Sequence, residues 1–480
     1  MEVKTRLSSR RWVKAVHFIV FWVVFLLLLA GISRMVSKRH STALGLEVLE
    51  YGDEIQVVFA GSSHVLNGIS PQQLWNEQGI RAQTIASHGE TMVCTYWHLR
   101  NALEYMNPKF VLVDLYGLSF EGRIYVNGDP RTWLDSLPLS RTKVETVLDL
   151  YGWEGISVLW PFTYEHTRWN SLEAEDVQPV QADPYRGAER NCGFVPQQEN
   201  RAVANGGETN ELGLEYLRRI VQLCREKNVQ LVPLILPYAF SNAPLENNLK
   251  AAEDLLRGEG LEILDMRETG VVNAVTDYAD YHHLNASGMD KATRLVGEWL
   301  AGQGIANSRE EDPGLAQKWN ENYVVYRQLK RGQIQACTEL EDLLVLLHDP
   351  DYSCILSIPP RLCLWTDDSY ADTRAQLENL GIELTGKENN TGLYAVVDSR
   401  NAAFSVQYGP DSLQTDWGQV EWQNRAEGTD PLWPIFSLAG QEFAQYDETM
   451  DMACAAGVLI VENYSGNAIW YWDFPMETAL

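Results

Sequence analysis

The residues with the clearest chemical potential lie in two short strings. Val57-Val58-Phe59-Ala60-Gly61-Ser62-Ser63-His64 runs from a buried-strand pattern straight into a tight Gly-Ser-Ser turn, which would hold the Ser63 hydroxyl at a strand end. Serine is a poor nucleophile at neutral pH and needs a base within hydrogen-bond reach, with a third group that fixes the tautomer of that base. Farther along, Asp280-Tyr281-His282-His283-Leu284-Asn285 supplies both: Asp280 stands three residues before His283, so its carboxylate can fold back onto Nδ1 while Nε2 faces the serine. His282 is the rival base, and its side chain points elsewhere if His283 is engaged. A Gly-Ser-Ser-His string alone is usually an ordinary turn or helix cap. Its pairing with a distal Asp-x-x-His in one α/β region predicts the triad Ser63, His283 and Asp280.

His64 and His88, with His282 and His283, could instead surround a metal. No His-x-His or His-x-x-x-His spacing supports that, and packing roles are expected for His64 and His88, with no metal and no cofactor.

Elements must bring these strings together. From Ile55 to about Gly302, short β-rich runs alternate with segments of helical period, as in parallel α/β domains. Strands are predicted at Ile55 to Ala60, Gln83 to Ala86, Phe110 to Leu115, Val229 to Leu236 and Leu261 to Asp265. Helices are predicted at Thr91 to Met106, Glu211 to Lys227, Leu245 to Arg257 and Ser287 to Ala301. Right-handed crossovers would make a three-layer sandwich with a parallel, flavodoxin-like sheet, whose strand C-termini line one edge. Ser63 falls after the first strand, and Asp280 and His283 after the last, so all three can meet at that edge. Residues 117–207 interrupt the pattern with Trp, Tyr and Pro, including Trp160-Pro161-Phe162, and read as a partly helical insertion: a groove for sugar rings, a packed lid or a membrane-proximal surface.

The remaining organisation follows from composition. At 480 residues with 45% hydrophobic content, the chain is long enough for two or three domains with real cores. Phe18 to Ile32 is an unbroken apolar or small-residue run, and with its extension by Ala15, Val16 and the single polar His17 it is just long enough to span a bilayer. Lys4, Arg6, Arg10, Arg11 and Lys14 precede it and Arg34, Lys38 and Arg39 follow, which favours a cytoplasmic N-terminus and an outward-facing body at the cell membrane. A cleaved signal peptide competes, but no small-x-small site follows Leu29.

A basic tail (1–14), an anchor (15–33), a linker (34–54), a catalytic domain (55–302), a second, polar linker with some helix (303–332) and a C-terminal domain (333–480) are expected. The net charge of −27 excludes a nucleic-acid partner, which needs clustered Lys and Arg. From Arg331 onward, 24 acidic residues face 6 basic ones, and this shift marks the C-terminal domain as separate. Short helices at Leu340 to Leu347 and Ala375 to Leu380, with strands at Ser353 to Ile358, Leu393 to Asp398 and Val458 to Glu462, predict a small α+β or β-sandwich module. The seven cysteines lack CxxC spacing; one or two disulfides or free buried thiols both fit.

The combination of Gly61-Ser62-Ser63 with Asp280 and His283 resembles the SGNH (GDSL-like) hydrolase superfamily over about residues 55–302. The string His283-Leu284-Asn285-Ala286-Ser287-Gly288 is similar to its membrane-anchored branch, which contains the teichoic-acid D-alanylation protein DltD and the alginate acetylation proteins. That resemblance implies an oxyanion held by the backbone N–H of Ser63 and by a glycine N–H, for which Gly89 in Ala86-Ser87-His88-Gly89-Glu90 is the candidate. Where the superfamily carries Gly-x-Asn-Asp, this chain has Asp114-Leu115-Tyr116-Gly117. Ala455 to Val461 and the Asp349 to Ile358 region resemble, more loosely, lectin-like modules of the interleukin-like EMT inducer type, implying sugar or partner binding; a purely structural acidic appendage is the alternative.

These resemblances imply an anchored serine acyltransferase or esterase that moves or removes an O-acyl group, acetyl foremost, on a cell-envelope or exported polysaccharide. A transferase would receive its acyl group from a multispanning membrane O-acyltransferase. The alternative is a catalytically inactive SGNH-fold scaffold or glycan-binding protein of an envelope-modification machine, favoured by the missing Gly-x-Asn-Asp pattern.

Overall fold

The computed structural model describes residues 2–36, 48–305 apart from 136, 161 and 179–182, and 307–475 with breaks at 311, 359–362, 366, 385–391, 400–402, 408–411, 426–432 and 444–454. Helix α1 (Glu2–Val36) carries the apolar run, and its Trp12–Ser33 stretch is long and apolar enough to cross a membrane, as an anchor or a signal sequence would be.

Five parallel strands then build a sheet: β1 (Val57–Gly61), β2 (Ala82–Ala86), β3 (Phe110–Asp114), β4 (Gln230–Ile235) and β5 (Leu264–Asp265). Their spatial order β2-β1-β3-β4-β5 is the flavodoxin-like order, with register pairs such as Gly61 with Ala86 and Val113 with Pro233. Near-continuous apolar strands are required because both faces are covered. Val58, Ala60, Val111 and Val113 pack toward α4 (Met92–Ala102), α6 (Glu211–Glu226) and α7 (Ala243–Gly258). Val57, Phe59, Leu112 and Leu234 pack toward α2 (Ser63–Gly68), α3 (Pro71–Gln78) and α8 (Ala286–Gly302). Helix α5 (Arg141–Tyr151) adds to the first layer.

Between the two halves, α9 (Pro313–Ala336) is a continuous 24-residue helix. Its Ala316, Trp319, Tyr323, Tyr326, Lys330 and Ile334 recur every three or four residues and are buried, although the stretch is polar overall. Beyond it, α10 (Leu340–Leu346) and α11 (Ala371–Asn379) cover one face of an antiparallel sheet. That sheet comprises β6 (Tyr352–Ile358), β7 (Leu393–Asp398), β8 (Ala403–Gln407), β13 (Ala455–Glu462) and β14 (Asn467–Pro475), in the order β8-β7-β6-β13-β14. A second antiparallel sheet, β9 (Ser412–Thr415), β10 (Gly418–Arg425), β11 (Trp433–Leu438) and β12 (Gln441–Phe443), covers the other face. The period-2 alternation is visible: Cys354 and Leu356 point to the helices, while Ile355, Val396 and Leu459 meet Val420 and Trp422 of the second sheet. Cys94, Cys192, Cys224, Cys337 and Cys354 are free thiols.

Candidate active site

Strand β1 delivers its last residue, Gly61, with φ +156°, where a Cβ would lie 2.8 Å from Val65 Cγ2 and 3.1 Å from Asp114 Cβ. Only glycine fits this approach, and the chain can therefore turn at once into α2, which Ser63 opens. Asn67 Nδ2 donates back to the Ser63 carbonyl at 3.0 Å. At the other end of the domain, the loop before α8 folds on itself: Tyr278 bridges to Leu284, and the Ala279 N–H donates to the His283 carbonyl at 2.9 Å. Asn285 caps α8, accepting from the Gly288 N–H at 3.1 Å.

The three side chains meet. His283 Nε2 lies 2.7 Å from Ser63 Oγ, and His283 Nδ1 lies 2.8 Å from Asp280 Oδ2. The other Asp280 oxygen accepts the backbone N–H groups of His282 (2.8 Å) and His283 (2.9 Å), so one carboxylate holds both the loop and the ring. Burial works to raise the Asp280 pKa, but the His283 ring and these two N–H donors outweigh it and hold the carboxyl well below the usual carboxylate range. Asp280 is thereby an anion that fixes the Nδ1–H tautomer and leaves the Nε2 lone pair toward the serine hydroxyl.

His282 turns away, its Nδ1 3.0 Å from the Tyr116 hydroxyl. Burial, assisted by the charge of His283, lowers the pKa of His282, against the pull of Asp280. His64 lies beneath the triad, stacked on Tyr116 at a ring-centroid distance of 3.5 Å and at 5.7 Å from the His283 ring. Neither His64 nitrogen has a hydrogen-bond partner among the described residues. Full burial, then the nearby His283 and His282, drive its pKa well below the ordinary value, so the ring is neutral. His88 is apart from this group and pairs with Glu189 at 3.0 Å, which raises its pKa. Among the described residues no group of His, Cys, Asp and Glu is disposed to hold a metal ion.

Gly89 lies three residues beyond the end of β2, the strand paired with β1, in a turn with φ +63°. Its missing Cβ would meet the Gly128 nitrogen at 3.1 Å and the Tyr125 ring at 3.1 Å. In the Asp114-Leu115-Tyr116-Gly117 stretch, Asp114 is fully buried and accepts the N–H groups of Leu236 (3.2 Å) and Tyr116 (3.3 Å). Burial raises its pKa to about 7, with those two donors opposing. This carboxyl ties β3 to the end of β4, and the next residue that reaches the site is the Tyr116 ring.

The base of the loop that carries Asp280 and His283 has a further support that spacing in the sequence could not reveal. Asp277 Oδ1 accepts from Ser287 Oγ (2.8 Å) and from Asn379 Nδ2 (3.0 Å) of α11, while Lys291 Nζ reaches both Asp277 Oδ2 and Asn379 Oδ1 at 2.7 Å. Gln376, one turn earlier on α11, donates to the Thr276 carbonyl at 3.0 Å.

No protein-family model and no curated protein matches the chain. Among solved structures, a protein from Desulfitobacterium hafniense DCB-2 assigned to the lipolytic G-D-S-L family matches with 9% identity and a TM-score of 0.27, over 51% of this chain and 98% of its own. A family two carbohydrate esterase from Clostridium thermocellum, solved with cellohexaose, matches with 10% identity and a TM-score of 0.25, over 52% of this chain and 65% of its own. An acetyl xylan esterase from the rumen bacterium Butyrivibrio proteoclasticus matches with 8% identity and a TM-score of 0.23, over 52% and 64%. The chain thus spans just under two thirds of the length of these two esterases.

Proposed function

We propose that this chain is a membrane-anchored, extracytoplasmic serine esterase or O-acyltransferase acting on O-acyl groups, acetyl foremost, of a cell-envelope or exported polysaccharide. The observation that carries the reading is the continuous hydrogen-bonded line from Ser63 Oγ through His283 to Asp280, at 2.7 and 2.8 Å. A scaffold has no use for a buried nucleophile in line with an oriented base, and this geometry favours the enzyme over the inactive alternative.

In the first half-reaction Ser63 Oγ attacks the acyl carbonyl carbon while His283 Nε2 takes the hydroxyl proton. Charge develops on the carbonyl oxygen, where the N–H groups of Ser63 and Gly89 are the candidate donors. The tetrahedral adduct collapses, the bond to the donor oxygen breaks, and His283 returns the proton to that leaving oxygen. An acyl-Ser63 ester remains. In the second half His283 deprotonates a water, giving hydrolysis, or a glycan hydroxyl, giving transfer, and the new nucleophile releases Ser63. Asp280 carries its charge throughout and stabilises the imidazolium formed twice per cycle. A transferase of this kind draws its acyl group from a multispanning membrane O-acyltransferase.

The test is turnover of 4-nitrophenyl acetate by the full chain in detergent, beside Ser63→Ala, His283→Ala and His282→Ala, with and without an oligosaccharide acceptor. The first two variants are expected to lose roughly a thousandfold or more in kcat/KM, and His282→Ala to keep most of it. Product analysis separates acylated acceptor from free acid. Turnover unaffected by Ser63→Ala would sink the assignment.

A further inference from the structure

Three tryptophans outside α1 are exposed among the described residues, and all three belong to one short stretch. Trp153 is 78% exposed, Trp160 50% and Trp169 71%, with Tyr164 at 43% between them. The other exposed large apolar side chains of the body are scattered aliphatics such as Val126, Leu139 and Val203, with Tyr464 and the Phe240–Tyr281 pair elsewhere, and none of them is a tryptophan among the described residues. Three open indoles within one turn-rich segment need an explanation, because each leaves a large apolar surface in water while its N–H seeks a partner.

The position of this stretch supplies the explanation. At 1.5 Å per residue, α1 is about 50 Å long, more than the roughly 30 Å of a hydrocarbon core, so part of it must stand clear of the bilayer. Its last residue, Val36, is buried against the body, and the Val36 carbonyl accepts from Arg168 at 2.8 Å. Arg168 is itself fixed by Asp176 at 2.9 Å. The helical turn Phe162–Glu165 and the turns His166–Asn170 and Ala174–Val177 pack against α1. Trp169 lies in one of these turns, Trp160 stands two residues before the helical turn, and the turn Trp153–Leu159 packs on that same helical turn, so the exposed indoles belong to the part of the body that meets the apolar helix. Tryptophan and tyrosine with an apolar ring and a polar edge prefer that depth, the boundary between acyl chains and headgroups.

We propose that residues 153–177 form a membrane-interface platform, which seats the folded body on the same bilayer that α1 spans. This rests on reading α1 as an uncleaved anchor. The contact is made by aromatic insertion rather than by charge: the stretch holds one basic residue, Arg168, already paired, against Glu154, Glu165, Glu173, Glu175 and Asp176. Anionic lipid is not required and added salt does not release the platform, unlike attachment by a basic patch. The platform fixes the height and tilt of the catalytic edge above the membrane, which α1 alone, a single tether, does not.

The experiment uses the full chain in vesicles of zwitterionic phosphatidylcholine, doped with a phosphatidylcholine whose acyl chain carries a diazirine near the glycerol end. After illumination, labelled peptides are mapped for the wild type and for Trp153→Ser/Trp169→Ser. Label is expected in both α1 and 153–177, with the second set lost in the variant while α1 stays labelled and turnover of soluble 4-nitrophenyl acetate is unchanged. Label in α1 but not in 153–177, or equal label there in the variant, overturns the platform and leaves the anchor standing. An unlabelled α1 overturns the anchor and the platform together. Protection of 153–177 from hydrogen exchange by soluble oligosaccharide, without lipid label, assigns the indoles to glycan instead and likewise overturns it.

Discussion

Asn379 of the C-terminal module donates from Nδ2 to Asp277 Oδ1 at 3.0 Å, three residues before Asp280 in the loop that carries His283.

 The same carboxylate accepts from Ser287, and Lys291 joins Asp277 to Asn379, so a helix of one module clamps the root of the loop that carries His283 in the other. Asn379→Ala removes the clamp without touching the site. Because the loop would sample more positions, kcat for 4-nitrophenyl acetate is expected to fall about tenfold, equivalent to about 1.4 kcal/mol of transition-state stabilisation, with KM nearly constant. A fall in melting temperature with kcat unchanged would show that the contact serves stability alone.

Asp114 gives a pH test with a definite sign. Its folded pKa of about 7 lies above the unfolded carboxylate value near 3.9, so the folded state binds the extra proton between those limits. The group's contribution is complete below the unfolded value and is lost as pH rises through the folded one. Asp114→Asn cannot titrate. The stability of the wild type relative to this variant is expected to decline between about pH 4 and 7, by at most roughly 1.4 kcal/mol per pH unit, and then to level off. Paired urea titrations at several pH values check it; parallel pH profiles for the two proteins would refute it.

A buried ionic cluster joins the modules more broadly. Arg190 holds Asp290 with two bonds of 2.7 and 2.9 Å and reaches Asp349 at 3.3 Å, and Lys330 of α9 pairs with Asp349 at 2.7 Å and Asp351 at 2.6 Å. Removing one member strands buried charge, so Asp349→Ala is expected to cost about 3–5 kcal/mol. Calorimetry should show the C-terminal module melting ahead of the α/β domain. A single transition at the wild-type temperature would show that the cluster does not couple them.

The parallel sheet was legible because its strands are short apolar runs set between helices with clear periods, and every predicted strand of that domain lies within a few residues of an observed one. Ser63, Asp280 and His283 were legible for a related reason: the turn after β1 and the loop before α8 are local features, and the sheet order brings their ends together. Helix α9 was harder to read, since Trp319, Tyr323 and Tyr326 form its inner stripe within a polar, charged stretch. Asn379 and Gln376 were beyond reach, because their partners Asp277 and Thr276 are about a hundred residues away and no spacing rule links them. The 117–207 stretch gave its composition but not its neighbour, α1.

His64 supplies the opposite pH signature from Asp114. Its ring is fully buried and neutral, and its pKa is depressed below the unfolded value near 6.5. The stabilising contribution is therefore present above pH 6.5 and is lost as pH falls, since the unfolded chain takes up a proton that the folded site refuses. His64→Phe keeps a ring stacked against Tyr116 and cannot titrate. The melting temperature of the wild type relative to this variant is expected to drop as pH is lowered from 8 to 5, with the Ser63–His283 hydrogen bond intact in the variant and esterase turnover retained within about tenfold, a loss of no more than about 1.4 kcal/mol. A constant difference across that range would mean that His64 takes up its proton in the folded state, placing a cation beside His283 that the neutral ring described above does not.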